Sequence, residues 1–156
     1  MTEINELEGK KLDQAVHEMR GMKPRWEAVV YNSDESGIVA TTSSAGPWFT
    51  PVELREWLED EQNQGRLLDY HIKTTPTYPP YSRDIAQAWE LDGEGWFWKF
   101  VEQRISVTEW QLEVTLCLGA FRGCVYVEVP LSDFPTTAHA YATARCRAYL
   151  KAKEGA

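Results

Sequence analysis

The feature that most constrains the fold of this 156-residue chain is strict alternation between Trp96 and Val129. In "WFWKFV" (96–101), Trp96, Trp98 and Phe100 fall on one side of an extended backbone. In "TEWQLEVTLCL" (108–118) the same side holds Trp110, Leu112, Val114, Leu116 and Leu118, and in "GCVYVEV" (123–129) it holds Val125, Val127 and Val129. Successive side chains of a strand point to opposite faces, so a period of two writes one apolar face and one polar face. Three such segments joined by short connections predict an antiparallel sheet covered on one side. One register keeps the apolar rows of the last two strands together: Cys117 opposite Cys124, Thr115 opposite Tyr126 and Glu113 opposite Glu128. Directly opposed glutamates repel. Lys99 lies on the same polar face, and a salt bridge to these carboxylates is a stronger reading than a cation site. The two cysteines read as a reduced, structural pair.

The remaining elements follow from period and punctuation. Residues 4–21 carry Leu12, Ala15, Val16 and Met19 at helical spacing, with His17 on the flank of the stripe and Gly21 and Pro24 as stops. "RWEAVVY" (25–31) and "GIVATT" (37–42) read as paired strands around "NSDESG", and 43–50 as a loop. Thr50, Pro51 and Glu53 then spell a helix start, with Leu54, Trp57 and Leu58 on one face and Gly65 as the stop. In front of it, "GPWFT" reads as a hydrophobic staple for the Thr50 cap rather than a recognition tip. "RLLDYHIK" (66–73) alternates as a strand. The last helix spans about 137–152, with Tyr141, Ala142, Cys146, Tyr149 and Leu150 on one face. Arg145, Arg147, Lys151 and Lys153 are placed in its last turns, where cations complement the dipole. The expected class is α+β: one domain over 1–156, a mainly antiparallel sheet of about 4–6 strands flanked by N-terminal, middle and C-terminal helices, and an inserted helix at about 50–65.

Composition narrows the functions. Seven tryptophans in 156 residues supply a real core, because each large aromatic buries roughly 150–250 Å². A net charge of −8 argues against binding the nucleic-acid backbone, which needs a basic face. No apolar run approaches the roughly 20 residues of a membrane span. Three cysteines and a polar start, "MTEINELEGKK", lead to the expectation of a cytoplasmic, reducing location with no membrane contact. His17, His71 and His139 and the three cysteines carry no nucleophile–base signature, and there is no HxxxH, CxxC or HExxH spacing. The expectation is a non-enzyme without metal or cofactor.

The best binding candidate is "TPTYPPYSRDIAQAWEL" (75–91). Pro76, Pro79 and Pro80 stiffen the chain in an extended form ahead of a short helix capped by Ser82 or Asp84. Tyr78, Tyr81 and Trp89 offer stacking surfaces, Arg83 a phosphate partner, and the helix start free N–H groups. The competing reading is a proline-stiffened loop whose tyrosines cover the core.

Three segments carry a resemblance. "LEGKKLDQAVHEMRG" (7–21), "YSRDIAQAWEL" (81–91) and "TARCRAYLKAKE" (143–154) resemble the opening helix, central segment and closing helix of small phage proteins of the ABA-sandwich type, akin to NinX-like proteins. The resemblance covers about a third of the chain and carries over no catalytic residue. Residues 33–73 depart from the pattern, with "TPVELREWLEDEQ" as an apparent insertion. It implies a phage or prophage accessory protein acting in the cytoplasm of the infected host. By analogy, the expected role is to sequester a small nucleotide-type signal of antiviral defence, as a homo-oligomer with sites shared between subunits. The alternative is an acidic inhibitor of a host defence protein or nuclease.

Overall fold

The computed structural model describes residues 3–34, 37–42, 50–120 and 122–155, the stretch 33–42 through its backbone only. The staple read at "GPWFT" lies outside the described residues apart from Thr50. The chain is α+β, with six antiparallel strands and four α-helices among the described residues. It forms two compact units. One joins Met1–Met22 to Pro79–Ala156, and the other is Lys23–Tyr78. The strands divide into two sheets of three rather than one continuous sheet.

The Lys23–Tyr78 unit interrupts the other in sequence. Strand β1 (Ala28–Asp34) is central, between β2 (Gly37–Thr42) and β3 (Asp69–Ile72). Helix α2 (Pro51–Asn63) begins as its sequence dictates. Thr50 Oγ1 accepts from Glu53 N at 3.2 Å, Pro51 occupies the first turn, and Gly65, at φ +77°, follows the end. Leu54 and Leu58 bury against Ala28, Val30 and Leu67, with Trp26, Trp57, Tyr70 and Ile72 around them. Arg25 and Thr77 exchange backbone hydrogen bonds of 3.1 and 2.6 Å, so the chain enters and leaves this unit side by side. The helix expected as an insertion is thus one element of an inserted unit that has its own sheet and core.

The other unit contains α1 (Gly9–Met19), α3 (Ile85–Trp89), β4 (Phe97–Arg104), β5 (Trp110–Cys117), β6 (Cys124–Pro130) and α4 (Thr137–Glu154). Its sheet has the order β4-β5-β6 and the register expected from the apolar rows. Helix α4 is the central layer. Ala140, Ala144, Ala148 and Ala152 recur every four residues and lay one side of it on Leu112, Val114, Leu116, Val127 and Val129. On the other side, Ala142, Cys146, Tyr149 and Leu150 meet Leu12 and Val16 of α1 with Tyr81, Ala88 and Leu91.

Of the face expected on α4, Ala142, Cys146, Tyr149 and Leu150 do share one side, while Tyr141 packs with the sheet cluster. Every residue from Ala142 to Leu150 is buried, because the small side chain of alanine lets the sheet approach closely. The expected placement of two arginines is corrected. Arg145 and Arg147 do not crowd the last turn. They lie mid-helix, 3% and 9% exposed, and reach backbone carbonyls instead of solvent. Arg145 Nε donates to Ala88 O at 2.9 Å and Nη2 to Leu91 O at 2.8 Å, while Arg147 Nε donates to Leu7 O at 3.0 Å. Each guanidinium therefore fixes the chain that leads into, or out of, a neighbouring helix. Burial lowers the pKa of both, and the charge of Asp92 acts in the opposite sense on Arg145.

The outer face of the sheet also differs in one detail. Among the described residues Lys99 forms no ion pair with Glu113 or Glu128. The Tyr126 hydroxyl donates to Glu128 Oε1 at 2.7 Å and also interacts with Glu113, which holds the phenol protonated far above its usual range. A neutral donor between the two carboxylates replaces the expected cation.

Candidate functional site

Of the four residues singled out in the sequence, Tyr81 is buried while Arg83 and Trp89 are exposed, and Tyr78 belongs to the other compact unit. Tyr78 ends the Lys23–Tyr78 unit and is half-buried. Tyr81 is 1% exposed and belongs to the core. The prolines do not simply extend the chain. The carbonyl of Pro79 accepts from Tyr81 N at 2.8 Å, and that of Pro80 accepts from Arg83 N at 3.1 Å and Asp84 N at 2.9 Å. This tight turn swings Tyr81 inward. Its hydroxyl meets His17 Nδ1 and Arg20 Nη1, both at 2.9 Å. Arg20 can only donate, so the hydroxyl accepts from it, while the direction of its bond with His17 Nδ1 follows the imidazole tautomer. His17, expected on the flank of α1, is fully buried by this contact.

The N–H groups expected to meet an anion at the start of α3 already have carboxylate partners. Ser82 N donates to Asp13 Oδ1 at 2.7 Å, and Ala86 N donates to Asp84 Oδ1 at 2.9 Å. Asp84, not Ser82, is the cap. Ser82 is fully buried; its hydroxyl reaches Gly9 O at 3.3 Å, and its carbonyl accepts from Thr143 Oγ1 at 2.9 Å. Burial raises the Asp13 pKa, offset in part by the bonds from Ser82 and the charges of Arg83 and His139. Asp13, His17 and Ser82 are the residue types of a catalytic set; all three are buried, and the bonds described tie the 79–84 turn to α1 and α4.

Arg83 and Trp89 are exposed. Trp89 stacks on Phe100 with centroids 5.3 Å apart, and Phe100 in turn stacks on Tyr141 at 5.4 Å. The row ends at Glu102, whose Oε1 accepts from the Tyr141 hydroxyl at 3.0 Å. Burial, and then this bond, raise the Tyr141 pKa.

Beyond Tyr141 the sheet outruns its helix. Strand β4 continues to Arg104, past the Val101 limit read from the sequence, and β5 starts at Trp110. Helix α4 begins only at Thr137, after a short 3-10 turn over Leu131–Asp133. The uncovered corner forms an open groove of about 410 Å³ lined by Glu102, Thr108, Trp110, Leu131 and Ser132. Trp110 is 46% exposed although it belongs to the apolar row of β5. The chemistry of the groove is a half-exposed indole, a carboxylate with three remaining lone pairs, two hydroxyls and an aliphatic wall. It suits a flat ring that carries N–H donors at its edge. A phosphate beside Glu102 would be repelled.

Sequence reasoning missed Glu102 and gave Trp110 only a core role. The signal was present: the period of Trp98 and Phe100 continues into Glu102 and Arg104, and Trp110 sits at the open end of its row. Comparisons with protein-family models, with curated proteins and with solved structures give no match.

Proposed function

We propose that this protein is a non-enzymatic accessory protein of phage or prophage origin that binds and sequesters a small nucleotide-type signal, holding the base in the Trp110–Glu102 groove. The observation that carries this reading is the half-exposed indole of Trp110 lining the same groove as a carboxylate. A purine stacks on an indole, and its N–H edge pairs with a carboxylate. The proposed site differs from the one expected at Tyr78, Tyr81, Arg83 and Trp89, because Tyr81 is packed in the core and Trp89 already stacks on Phe100. The cytoplasm of an infected bacterium is the compartment that suits this role, and among the described residues no helix is long and apolar enough to cross a membrane.

The test is a panel of cyclic dinucleotides, cyclic trinucleotides and ADP-ribose derivatives added to the purified protein while its melting temperature is followed. A ligand that binds only the folded state raises that temperature by mass action. Trp110→Ala should weaken binding by about 1–3 kcal/mol, roughly 5- to 150-fold. Ligand released unmodified by heat distinguishes sequestration from turnover. No shift with any nucleotide, together with co-purification of a host protein, overturns the reading. That outcome favours the second one, an acidic protein–protein inhibitor, which draws support from the exposed Glu53, Glu56, Glu59 and Asp60 on the outer side of α2.

A further inference from the structure

Cys117 and Cys124 are direct register partners at the end of the β5–β6 hairpin. Leu118 N donates to Gly123 O at 3.0 Å, which makes Leu118 and Gly123 a hydrogen-bonded pair. In an antiparallel ladder hydrogen-bonded and non-hydrogen-bonded pairs alternate, so Cys117 and Cys124 occupy a non-hydrogen-bonded position. The Cα atoms of such pairs approach to about 4.5 Å, at the lower edge of the roughly 4.4–6.8 Å that a disulfide spans. Both side chains leave the sheet on the face away from α4, since Leu116 and Val125 point toward the helix side. Cys124 is exposed, Cys117 is half-buried, and both thiols are free. The same row continues to Phe97, opposite Cys117 and 67% exposed, which gives an incoming molecule an apolar surface beside the sulfurs. The neighbouring Cys117 thiol raises the Cys124 pKa.

We propose that Cys117 and Cys124 form a reversible dithiol site whose substrate class is a small-molecule disulfide, closing across the hairpin into an intramolecular disulfide. In the first step the exposed Cys124 thiolate attacks one sulfur of the disulfide. A mixed S–S bond forms, the substrate S–S bond breaks, and the leaving thiolate takes the proton lost by Cys124. In the second step Cys117 attacks the Cys124 sulfur of that mixed disulfide and expels the second small thiol, which takes the Cys117 proton. Two protein thiols are oxidised, and one disulfide is reduced to two thiols. The new bond closes only a short loop, so its entropic stabilisation lies at the small end of what a disulfide gives. Its exposure places it among the readily reduced disulfides. Cys146 takes no part, because it is fully buried and its thiol is pushed far up by desolvation. The site is at the opposite end of β5 from Trp110 and does not depend on the groove reading.

The test uses the full chain and glutathione disulfide as the probe. Intact mass is read without reductant, and thiols are titrated in the native and unfolded states. The expected result is loss of two hydrogens with no glutathione retained. Native reactive thiols should fall to none, one thiol should appear on unfolding, and excess reduced glutathione should restore the rest. Cys117→Ser should instead stop at a stable glutathione adduct on Cys124. Retention of glutathione by the unsubstituted chain, disulfide-linked pairs of chains, thiols that stay reduced, or a bond that resists excess reduced glutathione would each overturn the proposal.

Discussion

The guanidinium carbon of Arg145 lies 3.9 Å from the centre of the Trp98 ring, and Trp89 covers it from another direction at 4.4 Å. Among the described residues no carboxylate forms an ion pair with it, and its donors meet the carbonyls of Ala88 and Leu91. A planar fork fits this slot and a point charge does not. Arg145→Lys should therefore cost about 2–4 kcal/mol, the sum of a charged hydrogen bond and part of the cation–π contact. Urea unfolding measures it. A lysine variant within about 0.5 kcal/mol of the parent would show that charge alone, without the plane, holds this layer together.

Tyr81→Phe keeps the ring and removes only the hydroxyl shared by His17 and Arg20. His17 is fully buried, and the loss weakens the satisfaction of a buried ring nitrogen. The expected cost is about 1–3 kcal/mol in urea unfolding. Nucleotide affinity at the Trp110 groove should be unchanged. Loss of binding without loss of stability would return Tyr81 to the ligand site and sink the core assignment.

Asp13 gives a pH dependence of defined sign. Its folded pKa is raised by burial above 3.8, so the folded state binds its proton more tightly than the unfolded chain does. The charged form therefore burdens the fold at neutral pH. That burden is relieved as the pH falls through the raised folded pKa toward 3.8. Asp13→Asn keeps an oxygen to accept from Ser82 N and cannot titrate. Its stability relative to the parent should be highest at neutral pH and should decline on acidification over that window. A difference that grows toward acid has the wrong sign. Asp13→Ala, which orphans Ser82 N, should cost about 1–3 kcal/mol at every pH.

Much of this was legible in the sequence, for reasons that differ by element. The β5–β6 register followed from a row of large aliphatic side chains that only one pairing keeps together, and Cys117↔Cys124, Thr115↔Tyr126 and Glu113↔Glu128 are the pairs observed. The cap at Thr50 and the start at Pro51 are local chemistry and needed no tertiary information. The rest depended on what packs where. A tyrosine after two prolines can face in or out, and only Asp13, His17 and Arg20 on another helix decide that Tyr81 faces in. Arg145 and Arg147 resemble dipole-complementing surface cations until alanines on both sides bring other layers against the helix. The groove exists because β4 and β5 are longer than α4 covers, a difference of lengths that no single segment records.

The groove makes one prediction about which base it prefers, and it rests on the proposed function. Glu102 Oε1 accepts from Tyr141, but each carboxylate oxygen has a second lone pair. Guanine presents two adjacent N–H donors on its Watson–Crick edge and can bridge both oxygens, whereas adenine offers a single amino group there. A bidentate pair of this kind discriminates by about 1–3 kcal/mol, so a guanine cyclic dinucleotide should bind roughly 5- to 150-fold more tightly than its adenine counterpart. Glu102→Gln keeps an acceptor for Tyr141 while replacing one oxygen by a donor. It should erase the preference and leave the melting temperature of the free protein nearly unchanged. Isothermal titration of both dinucleotides against both proteins decides it: an adenine preference, or a guanine preference that survives in Glu102→Gln, removes Glu102 from base recognition.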